Sequence, residues 1–373
     1  MKKGLFGAVF TLTGVIVGGG VLGMPYVFSK VGFLTGLLLL LVMAMILTVC
    51  YLMIGEVLQR TKGKHHIVGL VDKYLGHRWK YFMGIITISG IYVALVGYSM
   101  AAGDILNSFF SWNPLYWSFI FIAVLSIPIY FSLKIMGYWE SGISIIKILA
   151  ALALGVYVLN FININNLIGF DISLILYPLG VVMFSLLGVN MVPVIHHELK
   201  DKKDLKKVIF ISLSIAILMY IIFGGALVGV MGGLTPQVAT VGLTSLGVPL
   251  FVLINLFGLL SVTTAFIGLG YALKEVYGLD FKIKHHLGWV FVVAVTVILV
   301  VVNPASFIRT LGICAAIAGG LGLSMIFYVH SKAIKKGQLK PTYQLGNLLW
   351  FKILAGILFI FIILNEVFGF FVL

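Results

Sequence analysis

The chain has 373 residues, of which 61% are hydrophobic and 10% charged, with a mean hydropathy of +1.17 and a formal net charge of +14. No soluble core of this length needs so much apolar surface, so the composition excludes a soluble globular protein and points to a polytopic membrane protein. The basic excess does not point to nucleic acid, because it is spread over the loops between apolar segments, where it serves topology and contact with anionic lipid.

Apolar segments long enough to cross roughly 30 Å of hydrocarbon fall at residues 6–29, 33–58, 81–107, 115–134, 140–160, 173–196, 207–232, 246–273, 287–303, 306–330 and 346–371. Eleven membrane helices are expected, since only internal backbone pairing lets such segments cross lipid. Of the 25 Lys and Arg, all but Lys30, Lys147, Arg309 and Lys352 lie at the N-terminus or in and beside alternate loops. The positive-inside rule therefore predicts a multi-pass protein of the cell membrane, plasma or inner, with the N-terminus cytoplasmic and the C-terminus outside.

The first segment opens after Met-Lys-Lys, like a secretory signal, but runs on through Pro25 to Phe28 without a small-residue cleavage site and is expected to stay as a span. It contains "VGGGVLGMP", in which Gly18, Gly19, Gly20 and Pro25 all weaken a helix. A break there frees backbone N–H and C=O groups that lipid cannot satisfy, and a zwitterionic amino acid supplies partners for both. The N–H groups of Gly19, Gly20 and Val21, at the start of an outer half-helix, suit a carboxylate. Carbonyls near Val17, Gly18 and Phe184 suit an ammonium.

Further along, Tyr92 stands near the centre of the third segment, which also offers Tyr98. The fifth carries Lys147, with Glu140 as the sole acidic residue at helical spacing. An ammonium at membrane depth is costly and is normally paired or functional; the plainer alternative is snorkelling to the interface. The sixth segment contains "SLLGVNMVP", where Gly188 precedes Pro193 by five residues, as Gly20 precedes Pro25. The two weak points open successive sets of five spans. Five is odd, so the second set must enter from the opposite face, the arrangement of transporters with inverted repeats and broken helices. The expected organisation is a first repeat at 1–160, an inverted second repeat at 173–330 and an additional helix at 346–371.

"GGGVLGMPYVFSKVG" resembles the first-helix signature of the amino acid/auxin permease family, and "VMFSLLGVNMVPVIHHELK" its sixth helix. "LLSVTTAFIGLGYALKEVYGL" is similar to the Thr-rich segment of bacterial hydroxy and aromatic amino acid permeases. The resemblance implies an all-α, LeuT-type fold of the amino acid–polyamine–organocation superfamily, with spans 1 and 6 interrupted, importing an amino acid down a cation gradient. Leu186 and Leu187 depart from the polar residues of some relatives. Lys147 resembles a fifth-helix lysine that, in some superfamily members, fills the space of a sodium ion between the first and eighth helices. Thr263 and Thr264 pull the other way, because hydroxyls with freed carbonyls are the hard oxygen ligands of a sodium site. Protons are the preferred coupling ion and sodium the alternative; no cofactor is expected.

All eleven acidic residues fall in loops or near span ends, so a cationic substrate side chain would lack a counter-ion. Tyr92, Phe184, Ser185, Leu186, Leu187 and Gly188 are candidates for an apolar pocket, favouring a neutral amino acid, aliphatic or aromatic. The pairs His65-His66, His196-His197 and His285-His286 lie in or beside the cytoplasmic loops. Adjacent histidines on a helix point apart and neither Cys50 nor Cys314 is near, so no metal site is expected. His196 or Glu198, below the sixth-helix break, are candidates for a gate or proton relay. The alternatives are a sodium-coupled symporter and a sensor or receptor subunit that binds without transporting. An enzyme is disfavoured because no catalytic constellation shares one depth.

Overall fold

The computed structural model describes residues 4–131, 133–169, 174–242, 247–303 and 305–368, without the side chains of 133–141 and 144. Lys2, Lys3, Asp171, the Glu140 side chain and the expected boundaries at 173 and 371 lie outside them. Regular structure among the described residues is helical.

The first segment is two helices, α1 (Leu5–Ile16) and α2 (Gly20–Val31), bent by 51° across Val17–Gly19. Gly32, at φ 88°, turns the chain into α3 (Phe33–Arg60), a conformation that favours glycine. A short amphipathic helix, α4 (Ile67–Leu75), follows where the sequence reads as a loop, and leads into α5 (His77–Phe110). α6 (Pro114–Tyr130) begins at Asn113, whose side chain accepts from the Leu115 N–H at 2.9 Å, with Pro114 in the first turn where no N–H is needed. Then come α7 (Leu133–Tyr157) and the single turn α8 (Asn165–Ile168).

The sixth segment is again divided, into α9 (Leu179–Ser185) and α10 (Met191–Glu198). α11 (Leu205–Met231), α12 (Val248–Glu275) with a π-helical end over Val276–Asp280, and α13 (His285–Val302) follow. α14 (Phe307–Cys314) and α15 (Gly322–Lys336) are joined by a π-helical stretch, Ala315–Leu321, before α16 (Leu349–Phe368).

Seven stretches among the described residues are long and apolar enough to cross a membrane singly, and α1 with α2 makes an eighth. The expected count of eleven includes three segments outside that criterion. α6 has only 17 residues, the described apolar part of the fifth segment is as short, and α9 and α10 are each too short alone.

α1 packs against α7, α11 and α12, while α2 packs against α9 and α11. At one end of the bundle, the α15–α16 connection is strapped along α3. Gln338 and Leu339 donate to the Arg60 carbonyl (2.8 and 3.1 Å), and the Thr342 N–H and hydroxyl to Gln59 Oε1 (2.7 and 2.8 Å). The Leu345 N–H donates to Glu56 Oε2 at 2.9 Å. Glu56, fully buried, also pairs with Arg60 at 2.8 Å and His330 at 3.1 Å. Every polar atom of that carboxylate is thereby engaged, as burial requires.

Candidate functional site at the two helix breaks

The two breaks meet. A β-carbon on Gly20 would stand 2.5 Å from Ser185 Cα, so the chain approaches itself there in a way only glycine permits. Gly18 and Gly19 are covered by one side chain, Tyr98: an added β-carbon would lie 3.1 Å from its hydroxyl at Gly18 and 2.7 Å from its ring at Gly19. Gly188 faces Ile16 and the Tyr51 hydroxyl.

Hydrogen bonding explains how these breaks survive burial. Val21 and Leu22 donate to the Gly18 and Gly19 carbonyls at 3.3 and 3.1 Å, short-range turns that replace helical pairing, and among the described residues the Gly19 and Gly20 N–H groups make no comparable bond. The Tyr220 hydroxyl, on α11, reaches the Ile16 carbonyl at 2.7 Å and also the Ser185 carbonyl, joining the two breaks through one side chain. The Tyr51 hydroxyl, on α3, donates to the Leu186 carbonyl at 2.8 Å and accepts from the Gly188 N–H.

Lys147 comes in from α7 and is 1% exposed. Its ammonium donates to the carbonyls of Gly14 (3.2 Å) and Val17 (2.9 Å) and to Thr264 Oγ1 (2.8 Å). Snorkelling is thereby excluded: the amine lies among oxygens at the end of α1, on the line between α1 and α12. Thr264 also lies 3.1 Å from the Gly14 carbonyl. Thr263 is half-buried on the adjacent face of α12 and is not part of this group. The Val17 carbonyl, expected to face an ammonium of the substrate, instead holds that of Lys147.

The apolar wall differs from expectation at one point. Tyr92 is not brought to the breaks: its hydroxyl bonds Tyr277 and the Phe291 carbonyl, both at 2.9 Å, tying α5 to α13. Tyr98 takes the position at the glycines, its ring 6.0 Å from that of Phe184. Ser185 turns its hydroxyl back to the Val181 carbonyl at 2.7 Å, Leu186 is fully buried and Leu187 reaches toward Gly319 in the π-helical stretch. His196 and Glu198 are half-buried at the far end of α10, away from the breaks. Tyr51, Tyr98 and Tyr220 were not singled out from the sequence as members of the site. The available signal was a hydroxyl in the middle of an otherwise apolar span.

Two half-helix pairs meeting at their breaks, with a buried lysine at the end of the first, are the arrangement of broken-helix transporters. The chain belongs to the tryptophan/tyrosine permease family, whose sequence profile matches residues 1–372. It is 27% identical over 350 residues to amino acid transporter AVT3B of Arabidopsis thaliana, covering 84% of this chain and 82% of that protein. Amino acid transporter AVT3C of the same plant is 27% identical over 357 residues, covering 84% and 80%. The crystal structure of MhsT in complex with L-phenylalanine superposes with a TM-score of 0.71 at 15% identity, over 96% of this chain and 98% of that one. The fold is accordingly LeuT-type, and the protein is a multi-pass membrane protein of an amino acid transporter family, not an enzyme.

Proposed function

We propose that the protein imports a neutral amino acid, aliphatic or aromatic, by alternating access coupled to protons. The observation that carries the coupling is Lys147, whose ammonium lies 2.8–3.2 Å from Gly14 O, Val17 O and Thr264 Oγ1. Three hard oxygens around one charge are the ligand set of a monovalent cation. An ammonium in their midst keeps sodium out by charge and occupies the same space. Loss of its proton removes the charge and one donor, weakening the tie between α7 and the end of α1.

The substrate carboxylate is assigned to the Gly19 and Gly20 N–H groups at the start of α2; the Val21 N–H joins them only when its 3.3 Å bond to the Gly18 carbonyl opens. The ammonium goes to carbonyls near Gly18 and Phe184. Tyr98, Phe184, Leu186 and Leu187 wall the side chain, and Gly188 with Ser185 closes the opposite side. The neutral character of the substrate is in keeping with phenylalanine in the MhsT complex and with the family's tryptophan and tyrosine. The repeats are taken as 1–160 and 173–330 with 346–371 added, the N-terminus lying in the cytoplasm and the C-terminus outside the cell membrane.

Uptake of labelled neutral amino acids into proteoliposomes, in sodium-free buffer with and without an inward proton gradient, tests this reading. Gradient-dependent accumulation supports it. Uptake only with sodium moves the coupling to the Gly14, Val17 and Thr264 oxygens, and binding without uptake under any gradient makes the protein a sensor.

A further inference from the structure

The segment between α3 and α4 carries His66, whose side chain is 0% exposed although neither ring nitrogen makes a hydrogen bond of ordinary geometry among the described residues. Its backbone N–H is held by Asp280 Oδ1 at 3.4 Å, which fixes the ring where it is. The ring makes a weak polar contact with the backbone of Asn190, the N-cap of α10, which favours its charged form, and it lies near His197, which opposes it. Two more histidine nitrogens nearby, His196 Nδ1 and His197 Nε2, are also buried and unbonded, their rings 5.8 Å apart. Beside His66, a cavity of about 10 Å³ lined by Ile67, Thr87, Val189 and Asn190 opens toward the break in the sixth segment; it has the size of a single water.

Buried imidazoles with no partner are costly and therefore uncommon. Several together, at the junction between a fixed loop and a half-helix beside the site, mark a region built to be satisfied in another arrangement. We propose that His66 is the proton acceptor of the gate on the proposed cytoplasmic side: when α10 withdraws, the ring gains water and a proton, and the imidazolium holds the passage open. The proton comes from cytoplasmic water and returns to it when α10 closes again. This rests on the transport reading only in requiring α10 to move.

The charges around the ring favour that assignment. His197 acts on it from α10, and Asp280, in the π-helical end of α12, holds its backbone N–H, while Lys64 and His65 of its own segment act on His197. Lys202, beyond α10, repels a proton on His197. In the closed arrangement burial, reinforced by His197, pulls the His66 pKa down to about 3 from its ordinary 6.5. Proton uptake therefore belongs to the open arrangement, and its effect grows as pH falls below the ordinary value. Going from about pH 7.5 to about pH 5.5 should shift the equilibrium toward opening by about tenfold.

Hydrogen–deuterium exchange on the full chain in detergent reads this without a substrate. After correction for intrinsic exchange, peptides covering 186–199 should exchange at least about tenfold faster at the lower pH, and His66→Gln should remove a factor of about ten from that difference. His197→Gln should leave the His66 share of the difference in place, because the closed-state His197 pKa is pulled down to about 4 and the residue is uncharged across this range. No pH dependence in the unsubstituted protein, or the same dependence in a folded His66→Gln, overturns the proposal. If His66→Gln does not fold, His66→Asn takes its place, and the unsubstituted protein still decides. Failure of uptake alongside pH-dependent opening would remove the transport reading and leave this one standing.

Discussion

Gly20 lies directly against Ser185, with no side chain of Gly20 between the two backbones and 2.5 Å from the site of its absent β-carbon to Ser185 Cα. The interrupted first and sixth segments are thus in backbone contact, and anything that enlarges either residue forces them apart.

Gly20→Ala should fold, with a stability loss of about 1–3 kcal/mol for the inserted methyl, but lose most of its uptake. Comparing thermal melting in detergent with transport in liposomes separates the two. Full transport in Gly20→Ala would show that the contact opens freely.

Lys147→Ala should abolish accumulation driven by a proton gradient, and leaves the Gly14, Val17 and Thr264 oxygens to water or sodium. Uptake assayed in sodium-free and sodium-containing buffers gives the answer. Intact gradient-driven accumulation in the variant would remove Lys147 from the coupling mechanism.

Tyr220→Phe deletes the hydroxyl that reaches both the Ile16 and Ser185 carbonyls. The lost hydrogen bonding is worth about 0.5–1.5 kcal/mol, so melting should move only slightly. Turnover should fall more than binding, because the bridge sets how the two breaks sit relative to each other; equal losses in both would argue for a packing role alone.

Glu56→Gln breaks the fully buried pair with His330 and the partly exposed one with Arg60, while leaving an amide that still has to be satisfied. Truncating one partner of such a group costs about 3–5 kcal/mol. Melting should drop sharply and protease cleavage within 337–348 should increase; unchanged proteolysis would mean the strap is held instead by Gln59 and by the Tyr343 hydroxyl, which donates to the Leu52 carbonyl at 2.9 Å.

Much of this architecture was legible in the residues. The paired Gly and Pro spacings located both breaks, because losing internal pairing in lipid requires residues that tolerate it. Lys147 is visible as a charge inside an apolar run, whereas Thr263 and Thr264 stand in the sequence as equal candidates for a sodium site and only the fold joins Thr264 to Lys147. Hydropathy could not say which way a helix turns when it is apolar on all sides. Tyr92 and Tyr98 are six residues apart, about 240° around α5 at roughly 100° per residue, so only one of them can face the glycines. α4 was read as loop because its nine residues lie among charged ones, and Thr263 lost its place to Thr264 for the same reason of rotation.

The Tyr51 hydroxyl already occupies the Leu186 carbonyl and the Gly188 N–H, and Tyr220 reaches the Ser185 carbonyl. Alike in shape, the two interruptions are therefore unequal in chemistry. At the first, side chains from neighbouring helices hold only carbonyls, those of Ile16 and Val17, and among the described residues the Gly19 and Gly20 amides keep no such bond. At the second an amide is held as well as the carbonyls. A guest in this protein would be gripped from one side and merely leaned upon from the other, a division of labour between two look-alike halves.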